Sequence, residues 1–119
     1  MFDNVVNLVY TFNMKNIVDL PKPLEFDWDE ANKNKILLKH SVSVEECEEA
    51  FATEYLFSQP DELHSGKEER NILISKTKKE KFLFIVYTIR KNKVRVISAR
   101  GMHEKEKLFY EKEARSAKI

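Results

Sequence analysis

An α+β fold is what this sequence predicts: a small antiparallel sheet with two N-terminal helices packed on it and a C-terminal helix. Three observations carry the prediction. The second half holds three strand-forming runs, Asn71 to Lys76, Phe82 to Ile89 and Val94 to Ala99, and the gap between the last two is short enough for a hairpin. Two helix starts with capping residues, Asp29 and Ser43, precede the strands, and a helical pattern from Met102 to Arg115 follows them. With 119 residues the chain has the size of one domain, and with 42% apolar and 34% charged residues it has the composition of a globular one.

Residues 1–23 are read as an N-terminal extension, ahead of a single domain at 24–119. Val6, Leu8, Tyr10 and Phe12 alternate with Asn7 and Thr11, which fits an extra edge strand, with a helix as the alternative. The stretch lacks the basic start and small-residue cleavage site of a signal peptide and is too short to span a bilayer. A cytoplasmic protein with no membrane role is therefore expected.

Pro21 and Pro23 break the chain, since proline and the residue before it are both pushed out of helical geometry. Leu24 to Trp28 reads as a short strand. Asp29 or Asp27 then caps a helix to about Lys39, with Lys39 and His40 in the last turn, where positive charge complements the helix dipole. Ser43 and Glu46 form a capping box that opens the second helix. Its apolar face is Val44, Cys47, Ala50 and Phe51, so the single cysteine is expected to be a core residue rather than a nucleophile. One cysteine also excludes an intramolecular disulfide framework and a CxxC motif.

Pro60 to Lys67 reads as a polar loop containing His64 and Gly66. The run Phe82 to Tyr87 is apolar at every position, as expected for a central strand covered on both faces. Lys91 and Asn92 fall at the hairpin tip, and Gly101 ends the last strand. In the final helix Met102, Glu106 and Tyr110 share a stripe at intervals of four.

The formal net charge is only +1, yet it divides unevenly. Residues 1–62 hold 5 Lys/Arg and 13 Asp/Glu, a net of −8; residues 63–119 hold 16 and 7, a net of +9. Two readings follow: a basic face for an acidic partner such as nucleic acid, or two halves that pack together and neutralise each other. With two glycines and no phosphate loop, a dinucleotide-binding or P-loop site is excluded, and no GxSxG motif is present. No metal-ligand spacing is present, and no cofactor is expected.

What remains are cations and proton carriers of the basic half: His64, Arg70, Arg90, Arg95, Arg100, His103 and Tyr110. Arginine forks bind phosphate through paired donors, and histidine exchanges protons near neutrality. Together such groups can cleave RNA without metal, the ribose 2′-hydroxyl attacking the adjacent phosphate. Ion pairs with the acidic half, or protection of a sheet edge, are the other use for these arginines.

Several local motifs fall in a recognisable order. They are Phe26-Asp27-Trp28-Asp29, Lys39-His40-Ser41-Val42-Ser43, His64-Ser65-Gly66-Lys67-Glu68-Glu69-Arg70, Thr88-Ile89-Arg90, Arg95-Val96-Ile97-Ser98-Ala99-Arg100, and Glu106 with Tyr110. From Leu24 to Lys112 the ordered set resembles the BrnT toxins of bacterial type II toxin-antitoxin systems. The resemblance implies a RelE-like fold, a metal-independent endoribonuclease that inhibits translation, and neutralisation by a cognate BrnA-like antitoxin. That antitoxin would carry a ribbon-helix-helix portion, with operator DNA bound only through the complex.

Within that frame Arg70, Arg90 and Arg100 are expected to hold the scissile phosphate. His64 is the first candidate for proton transfer and Tyr110 the second, and Glu69 would orient an arginine or act as base. Arg95, Lys91, Lys93 and His103 are the expected RNA contacts. Ser41 stands where the family has glycine, so a left-handed backbone there would be strained. The last helix mixes glutamates with its lysines, unlike the arginine-rich helix of the family. A noncatalytic module that binds antitoxin or nucleic acid and has kept the fold but lost activity is the alternative function.

Overall fold

The structure, a computed structural model, describes Met14 and residues 19–117. Its helices are α1 (Glu30–His40), α2 (Val44–Phe51) and α3 (Glu104–Ala117), and its strands are β1 (Leu56–Pro60), β2 (Asn71–Lys76), β3 (Phe82–Arg90) and β4 (Lys93–Gly101). The strands form one antiparallel sheet in sequence order, β1-β2-β3-β4. The α+β architecture expected from the sequence is present. The strand expected at Val6 to Phe12 lies outside the described residues.

Side chains alternate across a strand, so the apolar run of β3 supplies two cores at once. Leu83, Ile85 and Tyr87 face one layer with Leu73, Val94, Val96 and Ala99; Ile36 of α1 and Cys47, Ala50 and Phe51 of α2 cover it. Phe84 faces the other with Phe57, Ile72 and Ile74, where Met14 and Tyr110 of α3 close over it. α1 lies against β4, and α2 against β2 and β3. The central position expected for this strand follows from that double burial.

The caps form as the sequence dictates. Asp29 accepts from the Asn32 amide, and Ser43 and Glu46 exchange both bonds of a capping box at 3.1 and 2.9 Å. Ser41 ends α1 in the left-handed region, φ 56 and ψ 37, its N–H donating to the Leu37 carbonyl. The strain expected of a side-chain-bearing residue there is real, since Cβ crowds the following carbonyl. Lys91 and Asn92 also carry positive φ, 49 and 64, the combination that a two-residue hairpin turn requires.

Three features lie beyond local pattern. Pro60, expected to open a polar loop, instead ends β1, a strand whose Ser58, Gln59 and Pro60 carry no apolar alternation; pairing to β2 supplies what that pattern lacks. Pro60 fits because it ends an edge strand. The strand expected at Leu24 to Trp28 shrinks to a single parallel bridge from Phe26 to Val94, closed by Asp27 N–H donating to Val94 and Val94 N–H donating to Glu25. Finally, β4 carries a bulge: Val86 pairs with Ser98 and Tyr87 with Val96, leaving Ile97 as the extra residue.

Candidate active site

The loop from Asp61 to Arg70 is held shut by its own polar groups. Asp61 N–H donates to the Arg70 carbonyl at 2.8 Å, Ser65 N–H and Oγ donate to the Asp61 carbonyl, and Arg70 N–H donates to Ser65 Oγ. This closure sinks the Asp61 carboxylate, leaving its side chain 2% exposed. Three residues on, the half-exposed His64 places Nδ1 at 2.9 and 3.1 Å from its two oxygens. With Nδ1 engaged, Nε2 is left with no protein partner among the described residues. A carboxylate in this position fixes the tautomer and stabilises the imidazolium that forms when the ring takes a proton.

Across the sheet face, Asp61, His64 and Arg70 line one cleft of about 280 Å³ with Phe84, Val86, Ile97, Ser98 and Arg100. Arg100 reaches the cleft from β4. Its terminal nitrogens donate to both oxygens of Glu106, at 2.8 and 3.0 Å, and one donates also to the Gly101 carbonyl. The guanidinium carbon lies 3.9 Å from the centre of the Phe84 ring. Of five N–H bonds these contacts use three, leaving two donors without a partner among the described residues. The Arg70 guanidinium has no ion-pair partner within 4.0 Å among the described residues. One cleft thus holds a histidine with a buried carboxylate behind it, a free guanidinium and a fixed one.

The other expected residues are placed elsewhere. Arg90 forms a two-pronged pair with Glu68, at 2.7 and 2.9 Å, and this hydrogen-bonded guanidinium holds the Glu68 carboxyl below its usual range. Arg95 donates to Asp29 at 2.8 Å and to the Asp27 carbonyl at 3.2 Å. These two share a neighbouring concavity with Lys35. Lys91 and Lys93 are exposed at and beside the hairpin tip. His103 is exposed at the start of α3, its N–H donating to Glu106. Glu69 is exposed, its carbonyl accepting from Thr88.

Tyr110 is placed apart from the cleft. It is 4% exposed, its hydroxyl donates to the Tyr55 carbonyl at 2.7 Å, and its ring stands edge-on to Phe57 and Phe82. Burial pushes its phenol up, and it does not line the cleft. The helical stripe it shares with Glu106 turns inward, which sets the Tyr110 ring against Phe57 and Phe82.

Asp61 is the residue that sequence reasoning missed. Only its spacing, three residues before His64 and directly after Pro60, hints at the pairing. Cys47 behaves as expected, fully buried, its thiol pushed up to about 12 by burial and then by Glu46 and Glu48. The charged halves meet at Arg95 with Asp27 and Asp29 and at Lys81 with Glu46, while Arg90 and Arg100 find carboxylates within the basic half. Among the described residues no three His, Cys, Asp or Glu side chains gather to hold a metal, and no helix is long and apolar enough to cross a membrane.

A family model described as the ribonuclease toxin BrnT of type II toxin-antitoxin systems matches residues 28–106. The matched span contains every residue of the cleft and stops short of Tyr110. No curated protein matches the chain.

Proposed function

The chain belongs to the BrnT family of ribonuclease toxins of type II toxin-antitoxin systems, and from that membership we propose that it is a metal-independent endoribonuclease acting through the Asp61, His64, Arg70 and Arg100 cleft. The observation that carries the reading is a proton carrier backed by a buried carboxylate, in one cleft with two guanidiniums. His64 Nε2 takes the 2′-hydroxyl proton while the 2′-oxygen bonds to phosphorus and the bond from phosphorus to the 5′-oxygen breaks. The leaving oxygen takes a proton from water. Arg70 and the two remaining donors of Arg100 meet the charge that develops on the phosphate. Asp61 acts as a positioning residue for His64.

Translation falls as messenger is cut, and a BrnA-like antitoxin with a ribbon-helix-helix portion neutralises the toxin and carries the complex to operator DNA. The test is induced expression with and without the antitoxin gene, scored for growth arrest, together with cleavage of RNA by purified protein in EDTA. Arrest relieved by antitoxin and cleavage in EDTA support the reading. Folded protein that neither arrests growth nor cuts RNA overturns it.

One observation favours the noncatalytic alternative: Arg90, Arg95 and Arg100 are each already paired with a carboxylate. Binding of antitoxin without any cleavage is the outcome that selects it.

A further inference from the structure

The bulge in β4 sets Ile97 between two concavities. It lines the cleft of His64, Arg70 and Arg100, and it also lines a second hollow of about 300 Å³ with Asn32, Lys35, Arg90 and Arg95. The second hollow lies where the first turns of α1 meet β4, and Asp29, which caps that helix, lines it together with three cationic side chains. Glu68 and Asp29 hold Arg90 and Arg95 in place, while Lys35 has no carboxylate partner among the described residues.

An independent feature points to a ligand. Asn32 is 8% exposed, and its Nδ2 donates to the Val96 carbonyl at 2.9 Å, yet its Oδ1 accepts from no group among the described residues. Buried acceptors are nearly always satisfied, so an orphan in the wall of a cationic hollow marks a place for an incoming N–H or O–H donor. Base amino groups supply such donors within reach of phosphates, and the shared Ile97 makes the hollow continuous with the cleft proposed for the scissile phosphate, which favours RNA as the occupant.

We propose that single-stranded RNA crosses Ile97 from the His64 cleft into this hollow, where Lys35, Arg90 and Arg95 hold a flanking phosphate and Asn32 accepts from the adjoining nucleotide. This rests on the ribonuclease reading for its substrate, but binding tests it separately from cleavage. Lys35 and Asn32, on a helix that otherwise serves packing, become substrate-binding residues.

The experiment measures anisotropy of a fluorescent single-stranded RNA of about 12 nucleotides, made with 2′-O-methyl riboses so that it cannot be cut. Full-length wild type, Lys35→Ala and Lys39→Ala are titrated over a series of salt concentrations. Lys39 is an exposed lysine of the same helix outside the hollow, and its loss leaves affinity unchanged. Lys35→Ala weakens binding severalfold and lowers the slope of log affinity against log salt by about 0.7, one single-strand phosphate contact. Equal effects of the two variants overturn the proposal, as does a Lys35→Ala variant that loses antitoxin but keeps RNA. If wild type binds this RNA with the predicted Lys35 dependence while cleaving no unmodified RNA, the ribonuclease reading falls and the binding track stands.

Discussion

Glu106 grips Arg100 through two hydrogen bonds that join α3 to β4, with the carboxylate side chain 3% exposed. The same carboxylate accepts from the His103 amide, so one buried group caps the helix and orients a cleft arginine. Removing the cation alone strands a buried charge. Arg100→Met therefore costs about 3 kcal/mol in urea denaturation. Adding Glu106→Leu recovers most of it, because the buried charge goes as well. The consequence for activity assays is that Arg100 variants need a stability control before lost cleavage is assigned to phosphate binding.

His64→Gln lowers RNA cleavage by about 10²- to 10⁴-fold, the usual contribution of a positioned proton carrier. Asp61→Asn lowers kcat by more than about tenfold with KM little changed, since the amide still bonds the ring but no longer stabilises the imidazolium. Steady-state cleavage of a defined oligonucleotide checks both. Full activity in both variants overturns the assignment of the cleft.

Ser41→Gly stabilises the protein. At φ 56 the serine carries a Cβ penalty that glycine lacks, and the Ser41 contacts that matter, N–H to Leu37 and carbonyl from Lys81, are backbone groups that survive the change. A gain of about 1 kcal/mol is expected, seen as a melting temperature higher by about 4 °C.

Glu46 gives a pH dependence whose sign can be worked out. Burial pushes its carboxyl up, but the Ser43 amide and the Lys81 ammonium outweigh burial and hold it below its ordinary 4.5. The folded protein thus binds this proton less readily than the unfolded chain does. The stabilisation is complete above about pH 4.5 and is lost as pH falls through the lowered folded value. Glu46→Gln costs less than about 1 kcal/mol near neutrality, as fits a partly exposed pair. It also flattens the acid limb of stability measured by urea denaturation between neutral and acid pH.

Cys47 resists thiol reagents while the protein is folded. A buried thiol pushed up to about 12 has almost no thiolate at neutral pH, and no reagent reaches it. Labelling in the native state therefore proceeds only through opening, and its rate rises with urea in step with unfolding. Rapid labelling of native protein would contradict the burial of α2 against the sheet.

Local pattern was enough wherever a structure is made from neighbours in the chain. The capping box at Ser43, a cap at Asp29 or Asp27, the hairpin at Lys91 and Asn92 and the double-faced β3 were all legible, because each rests on side chains within a few residues or on simple alternation; the structure chooses Asp29. The histidine and arginines of the cleft were legible as chemistry, and the family resemblance set them in order.

Only the tertiary structure decided which of those groups meet. It separated Arg70 and Arg100 from Arg90 and Arg95 across the Ile97 bulge, withdrew Tyr110 into the core, and brought the buried Asp61 behind His64. The reason is physical: a bulge, an ion pair between α3 and β4, and an edge strand paired to β2 are contacts between segments distant in sequence. Their energies come from burial and pairing, which periodicity along the chain does not encode.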